Sequence, residues 1–370
     1  MYLKNIQLSQ FKSYEEAAFT FNENVNALVG KNGSGKTNLL DAIYYLSFCK
    51  SYFSAQDVFS MRFGSDFFAI HGDFYHRDGE NHTQISCTYR NGHKSMKANK
   101  KEYPKLSAHI GLFPVVMVSP YDSEIIHNGS EIRRKFFDAI ISQFDAEYLQ
   151  HLIAYRKLLQ QRNALLKLIA ERQYADTTLL QTINEQMAPL AHCIFDQREA
   201  FIKHIQPIFQ THYKQLTKDA ERVEVMYQSG LHEQSFATGL ANSYAVDAKT
   251  GFTNFGIHKD DYLFAIDGQP VRRYGSQGQQ KSFSLALRLA QFDYCYAQKG
   301  IKPILLLDDI FDKLDRNRIA ELLNMVGNDH FGQVFISDTD EFRVHQILDE
   351  HHIPHQIITI QRQSENSTVE

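Results

Sequence analysis

The chain has 370 residues, enough for one large domain or two, and its hydrophobic fraction of 43% can fill an ordinary core. The formal net charge of -4 excludes a global positive field, so any contact with DNA has to come from a local basic patch. The four cysteines lie far apart, and no apolar run reaches the ~20 residues that cross a bilayer. We expect a cytoplasmic protein without a membrane partner.

The most specific motif follows a short predicted strand at residues 26–29. Residues 30–37 fit the P-loop pattern G-x-x-x-x-G-K-[ST], and the apolar spacing of residues 38–46 predicts a helix after them. A strand, a glycine-rich loop and a helix in this order form a phosphate site, because the backbone N–H groups of the loop and the N-terminus of the helix point at the ligand. Lys36 is expected to reach the β- and γ-phosphates, and Thr37 to ligate Mg²⁺. The residues predicted to bind ATP are Gly30, Lys31, Asn32, Gly33, Ser34, Gly35, Lys36 and Thr37.

The middle of the chain changes from strand patterns to helical ones. Alternation predicts strands at 67–74 and 83–89, and a buried strand at 115–118. From about residue 130 to about residue 216 the helical period predicts two antiparallel helices of about 40 residues each. Pro189 and Pro207 are expected to start, kink or divide helices there.

These patterns predict three parts of the chain. Residues 1–125 are predicted to form the N-terminal part of a β-rich nucleotide-binding domain, 126–220 an inserted helical lobe, and 221–370 the C-terminal part of that domain. A separate helical domain joined by linkers is the weaker alternative, because the P-loop lies before the insert and the aspartates of a second nucleotide motif, near residue 308, lie after it.

The second half of a nucleotide site is predicted near residue 308. The apolar run 303–307 predicts a strand that ends in Asp308 and Asp309, as in a Walker B motif. Asp308 would hold Mg²⁺ and Asp309 would act in catalysis with Lys36 by polarising the attacking water. The alternative is a capped helix start, which also applies to the acidic turn that contains Asp312 and Asp315.

The run Ser276-Gln277-Gly278-Gln279-Gln280 precedes a long helical pattern. A serine at a helix start, with glycine after it, offers N–H groups to an anion. Ser276, Gly278 and Gln279 are similar to the signature loop of ABC-type ATPases, where one protomer's loop closes on the γ-phosphate held by the other protomer. The alternative is an ordinary helix cap.

Longer stretches resemble the bacterial RecF family, and the resemblance extends over nearly the whole chain. They are QFKSY (10–14) with residues 26–43, VMVSPYD (116–122) with RRKFFD (133–138), and FGIHKDD (255–261) with the signature loop.

The resemblance implies an α/β fold, the P-loop head of ABC and SMC ATPases with mixed sheets, and an inserted helical lobe. It implies binding of ATP, Mg²⁺ and single-stranded or gapped DNA, ATP-dependent homodimers, and a role in recombinase loading and the SOS response. The implied partners are the RecR and RecO proteins and the recombinase RecA. Lys12 would lie near the nucleotide phosphates, and a solvated surface lysine is the alternative.

Three departures from ABC enzymes predict slow hydrolysis that gates a clamp. Asp309 replaces the usual glutamate and is one methylene shorter. Ser337, Asp338 and Thr339 follow the next strand, where a switch histidine is expected. The stretch 119–122 occupies the place of the usual glutamine.

Local basic clusters are the candidates for DNA contact, with a solvated charged face as the alternative. No recognition-helix motif predicts base readout. We interpret His351, His352 and His355 as surface residues rather than ligands. The basic candidates are Lys94, Lys97, Lys100, Lys101 and Lys105 near a predicted hairpin, and Arg133 and Arg134 at a helix start.

Three other functions fit parts of the pattern. The head of another SMC-like repair complex would carry far longer coiled coils than this insert supplies. A transporter ATPase subunit would carry the glutamine and histidine that are not seen here. A nucleotide-gated scaffold without hydrolysis remains open.

Overall fold

The computed structural model describes residues 1–76, 82–172, 177–218, 221–311, 316–328 and 330–361. The chain forms two units. The first comprises Met1–Asp122, Gln215–Lys218 and Leu285–Glu370, and the second comprises Ser123–Lys214 and Asp219–Ser284. Among the described residues, no helix is both long enough and apolar enough to cross a membrane.

An antiparallel sheet in the first unit contains six strands in the order β2-β1-β4-β5-β6-β7. Asn91 and Gly92 join β5 to β6 in a two-residue hairpin turn, and their φ angles of 51° and 77° are the left-handed values that such a turn requires. The strands are β1 (Tyr2–Phe11), β2 (Tyr14–Thr20), β4 (Phe67–Tyr75), β5 (His82–Arg90), β6 (His93–Ala98) and β7 (Lys101–Glu102).

A parallel sheet of five strands forms the core of the first unit, in the order β14-β3-β13-β12-β8. Every residue of β3 and β12 is buried, and apart from Asn26 in β3 every one of them is apolar. The strands are β3 (Val25–Val29), β8 (Val115–Val118), β12 (Ile304–Leu307), β13 (Val334–Asp338) and β14 (His355–Thr359). The helices of this unit are α1 (Lys36–Phe48), α9 (Arg316–Gly327) and α10 (Glu341–Glu350).

The second unit is mainly helical and carries a small antiparallel sheet in the order β11-β10-β9. Its strands are β9 (Val223–Gln228), β10 (Asp261–Ile266) and β11 (Gln269–Pro270). The helices are α2 (Glu124–His127), α3 (Ser130–Phe144), α4 (Ala146–Arg172), α5 (Thr177–Thr217), α6 (Phe236–Thr250) and α7 (Val271–Tyr274), and α8 (Gln277–Lys299) runs from this unit into the first.

The helical insert differs from the predicted pair of long helices. It contains α3, α4 and α5, with 15, 27 and 41 residues. α5 continues through Pro189 and Pro207, so the prediction that these prolines start or divide helices is wrong. Both lie on the exposed face, where water can bond the carbonyl groups that lose their helical partner. The buried stripe of α5 continues past them and favours an unbroken helix.

The division into units also differs from the predicted boundary at residue 220. The second unit extends to Ser284, because β9, β10 and β11 pair with one another and join neither sheet of the first unit. The segment 221–284, which the sequence assigned to the head, therefore belongs with the helical insert.

Candidate functional site

A cleft of about 380 Å³ lies at the carboxyl ends of the parallel strands. The P-loop follows β3, the Walker B aspartates follow β12, and Ser337 lies near the end of β13. Ligands of open α/β sheets bind at this edge, so the topology agrees with a nucleotide site. Apart from P-loop residues, the lining comprises Asn38, Pro120, Tyr121, Asp308, Asp309 and Ser337.

The glycines of the P-loop are required by backbone conformation and close packing. Gly33 and Gly35 have φ angles of 76° and 114°, where L side chains are strained. A Cβ atom at Gly30 would lie 2.3 Å from the carbonyl oxygen of Ile360. Any side chain at these positions would therefore distort the loop that follows β3.

Lys36 begins α1, and its Nζ donates to the carbonyl oxygens of Gly30 and Lys31 at 2.6 and 3.1 Å. Burial lowers the pKa of Lys36, whereas the carboxylates of Asp309 and Asp308 raise it. An ammonium held by two neutral carbonyls can exchange them for phosphate oxygens, to which hydrogen bonds are stronger.

Thr37 and Asp308 meet although they are 271 positions apart in the chain. The Thr37 hydroxyl lies 3.0 and 3.1 Å from the two carboxylate oxygens of Asp308, and the Ser337 hydroxyl donates to the same carboxylate at 2.7 Å. Burial raises the pKa of Asp308, and the bonds from Ser337 and Thr37 lower it. Hydroxyl and carboxylate oxygens are ligands that Mg²⁺ prefers, so this pair fits the cation.

Asp309 follows directly, in a left-handed backbone conformation with a φ of 51°. Its N–H donates to the Ser337 hydroxyl at 2.9 Å. Within the described residues, its buried Oδ1 has no hydrogen-bond partner. A carboxylate oxygen that lines the cleft in this way can accept a hydrogen bond from a water molecule. The acidic turn with Asp312 and Asp315 lies outside the described residues.

Ser337 is the functional residue that sequence reasoning missed. The sequence places it only in the stretch that lacks a switch histidine, whereas its hydroxyl joins Asp308 to the backbone of Asp309. The available signal was its position beside the end of a buried strand. The next residue, Asp338, is fully buried and is bound by Arg343 at 2.6 and 2.7 Å.

Lys12 is not among the residues that line the cleft. Its Nζ lies 2.6 Å from Asp41 of α1, and its side chain is 15% exposed. Asp41 is fully buried, and a buried carboxylate requires such a partner. In the same stretch, residues 10–14, Tyr14 contacts the P-loop. Its hydroxyl donates to the carbonyl oxygen of Gly35 at 3.1 Å.

The signature-like run lies in the second unit, where Ser276 immediately precedes α8 and residues 277–280 form the first turn of that helix. The Gln279 N–H donates to the Ser276 hydroxyl at 3.2 Å, and the Ser276 N–H donates to the Gln279 side chain at 2.7 Å. This reciprocal pair is a capping box. Ser276 is exposed and Gly278 is half-buried. A helix cap and a contact with a second chain are therefore compatible roles for Ser276.

The lysine cluster divides into bound and exposed members. Lys94 donates to the carbonyl oxygen of Cys49 and to Asp57, both at 2.7 Å, and its side chain is 15% exposed. Lys97 is half-buried on β6. Lys100 and Lys101, with Lys105, are exposed at and beyond the β6–β7 hairpin. Lys94 is therefore already bound within its own unit, whereas the charges of Lys100, Lys101 and Lys105 are exposed at the surface.

Arg133 and Arg134 bind acceptors within their own unit. Arg133 donates to both carboxylate oxygens of Asp261 at 2.7 and 2.8 Å, and its side chain is 11% exposed. Arg134 donates to the carbonyl oxygen of Asp260 at 2.6 Å. These bonds join the RRKFFD and FGIHKDD stretches, so both arginines are engaged within the unit and are weaker candidates for DNA contact than the exposed lysines.

Comparison with known proteins identifies the family. The model described as RecF/RecN/SMC N terminal domain matches residues 2–353. In Flavobacterium johnsoniae, a protein named DNA replication and repair protein RecF is 44% identical over 361 residues, which are 97% of this chain and 100% of that protein. The chain belongs to the RecF family. A Bacteroides fragilis protein of the same name is 44% identical over 348 residues, covering 94% of this chain and 93% of that one.

Solved RecF structures share the fold. One, described as the recombination mediator protein RecF-ATPrS in the RecFOR pathway, is 29% identical with a TM-score of 0.86, and the match covers 98% of each chain. An Smc head domain from Pyrococcus furiosus shares the fold at 16% identity and a TM-score of 0.56, over 98% of this chain and 94% of that one. The predicted class, an α/β head of ABC and SMC type, is confirmed.

Proposed function

We propose that this chain is a cytoplasmic DNA-repair ATPase in which ATP joins two copies on DNA and slow hydrolysis releases them. Membership of the RecF family assigns it to DNA replication and repair. The observation that carries the nucleotide function is the convergence of Lys36, Thr37, Asp308 and Asp309 on one cleft. Two solved RecF structures are named with ATP or ATPrS and with the RecFOR pathway, which supports RecO and RecR as partners. RecA is proposed from the family resemblance alone.

The side chains around the cleft have separable roles in the proposed reaction. Lys36 would bind the phosphate oxygens, and Thr37 with Asp308 would hold Mg²⁺, which supplies charge neutralisation on the β- and γ-phosphates. Asp309 would accept a hydrogen bond from the attacking water and orient it. Ser337 keeps both aspartates in place through its hydroxyl.

Slow hydrolysis follows from the residues that flank this site. Asp309 is one methylene shorter than the glutamate of ABC transporters, and Ser337 and Asp338 stand where a switch histidine is expected. Fewer groups then stabilise the transition state. We expect a steady-state rate well below about 10 per second, an ordinary value for enzymes. A steady-state rate of several tens per second would contradict the proposal that slow hydrolysis acts as a switch.

ATP-dependent dimerisation should depend on Ser276. An arginine at this exposed helix start would put bulk and charge where the second chain's γ-phosphate is proposed to bind. We expect wild type to become dimeric with ATP in light scattering, and Ser276→Arg to stay monomeric while it still binds ATP.

Ser235→Arg is the matched control for this experiment. Ser235 is another exposed serine that caps a helix of the same unit, through its hydroxyl and the Thr238 N–H. Both variants lose a cap, which costs about 0.5–2 kcal/mol. A wild type that ATP leaves monomeric, or a Ser235→Arg variant that also fails to dimerise, would refute the trans contact.

DNA binding should depend on the exposed lysines of the β6–β7 hairpin. In the double variant Lys100→Gln, Lys101→Gln, we expect weaker binding to gapped DNA with ATP present. The slope of log affinity against log salt should become shallower by about two, because each lysine that neutralises a phosphate contributes about one. Fluorescence anisotropy across a salt series measures this slope.

A charge-matched control uses lysines in the other unit. Lys203 and Lys214 are exposed on α5, so their replacement by glutamine changes the net charge equally. The alternative role of the hairpin lysines is to keep the edge strand β7 from pairing with other chains. Equal slopes for both double variants would favour that alternative and exclude the hairpin from the DNA surface.

A further inference from the structure

Three side chains outside the nucleotide cleft form a cluster of metal-ligand type. His345 and Asp349 lie on α10, and His355 begins β14. One ligand atom from each residue lies within 4.8 Å of the other two. The two imidazole rings have centroids 5.0 Å apart and planes at 84°. The proposed ATPase function uses none of these residues.

The hydrogen bonds of the cluster prepare it for a cation. His345 Nδ1 lies 2.7 Å from a carboxylate oxygen of Asp349, and one proton holds these atoms together. A divalent cation can take the place of that proton on Nδ1; the imidazolium then releases a proton to solvent, and the neutral ring carries its one proton on Nε2 instead. His355 Nδ1 lies 2.8 Å from the carbonyl oxygen of Ile353 and must donate to it, which leaves the lone pair of Nε2 for a metal.

An ordinary surface ion pair explains only part of this arrangement. His345 and Asp349 are four positions apart on one helix, and such exposed pairs form without a metal. That pairing does not account for the second imidazole, which comes from a different element. A helical pair at this spacing, with a third ligand from a neighbouring segment, is a common way to build a metal site.

We propose that His345, Asp349 and His355 bind a divalent transition-metal cation, with Zn²⁺ as the ion that suits the ligands best. Two imidazoles and one carboxylate are zinc ligands, and they leave a fourth position for water. This assignment differs from the sequence interpretation of His355 as a surface residue. The sequence shows several histidines near position 352, but only the fold brings His345 to His355.

The consequence of binding is local and can be measured without ATP. β14 pairs in parallel with β3, the strand that leads into the P-loop. A cation shared by α10 and β14 would tie the helix to this edge strand. Zn²⁺ should therefore raise the thermal unfolding temperature, because it binds the folded state preferentially.

Zn²⁺ titration of the full chain by calorimetry, with any affinity tag removed, tests the site directly. We expect His345→Ala and His355→Ala each to lose one equivalent of Zn²⁺ or to bind it at least about tenfold more weakly than wild type. The controls are His351→Ala and His352→Asn, which change neighbouring histidines outside the cluster. Asparagine suits position 352, where φ is 55°.

A second measurement separates metal binding from misfolding. Circular dichroism and ATP binding of each variant show whether it has folded, and a thermal-shift series with Zn²⁺ should raise the unfolding temperature of wild type and both controls only. Equal Zn²⁺ stoichiometry and affinity in wild type, His345→Ala and His355→Ala would refute the site. Equal thermal shifts in these folded proteins would refute it as well.

Discussion

Replacing Asp309 by asparagine is expected to slow single-turnover ATP hydrolysis by about a hundredfold or more, with ATP binding retained. The amide keeps the size of the carboxylate and the backbone bond to Ser337, but it cannot attract a proton from water. Asp309 Oδ1 is buried, belongs to a residue that lines the cleft, and has no hydrogen-bond partner among the described residues, so the substitution breaks no hydrogen bond of this atom. Excess protein over labelled ATP makes even a slow reaction measurable.

Two further variants are needed to interpret the hydrolysis rate of Asp309→Asn. Lys36→Met removes the phosphate contact and measures the activity that contaminating ATPases contribute. Asp308→Asn should weaken the Mg²⁺-dependent part of ATP binding, because Asp308 contacts Thr37 where the cation is proposed to lie. If Asp309→Asn hydrolysed ATP at the wild-type rate, its proposed role would be wrong. If wild type itself matched Lys36→Met, the chain would be a nucleotide-gated scaffold.

The nucleotide site was predictable because its motifs are local and its strands are parallel. The P-loop needs eight consecutive residues, and the Walker B motif needs a short apolar strand with two acids after it. Parallel strands present their carboxyl ends at one edge, so Thr37 and Asp308 meet although no local pattern links them. The alternation that marks β4 and β5 was equally visible, because it depends on burial of one face.

Other features depend on partners that are distant in sequence. Arg133 looked like a free charge in a basic run, and only the fold places Asp261, 128 positions away, against it. Lys94 is held in the same way by Asp57. Pro207 predicts a helix boundary from local sterics, but burial along α5 outweighs this preference. Local patterns identify elements and short motifs, whereas they leave the pairing of charges undetermined.

The RRKFFD and FGIHKDD stretches also share a buried charge network centred on Arg198 of α5. Arg198 donates to Asp138 at 2.9 Å and to Asp260 at 2.9 Å, and these three side chains are at most 5% exposed. It also donates to the carbonyl oxygen of Ile257 at 2.8 Å. Burial raises the pKa of Asp260, and Arg198 lowers it. The network joins α3, α5 and the segment before β10.

Arg198→Met is therefore expected to lower the free energy of unfolding by about 3–5 kcal/mol, since Asp260 loses the arginine that pairs with it and Asp138 keeps only the longer contact to Arg156 at 3.4 Å. Urea denaturation followed by circular dichroism measures the loss. Lys203→Met is the control on the same helix, because Lys203 pairs with Glu199 at 3.2 Å in an exposed position. Removal of an exposed pair costs about 1 kcal/mol at most.

The pH dependence of this loss distinguishes a charge network from simple packing. Without Arg198, the folded-state pKa of Asp260 rises further above its unfolded value, so the folded chain binds a proton that the unfolded chain releases. The associated stability is present below the unfolded pKa, about 4, and disappears as the pH rises through the folded pKa. The deficit of Arg198→Met relative to wild type should therefore be larger at about pH 8 than at about pH 5. If the loss of stability in Arg198→Met were equal at both pH values, Arg198 would contribute through packing alone. If this loss were no larger than that of Lys203→Met, the charge network would not contribute to the stability of this unit.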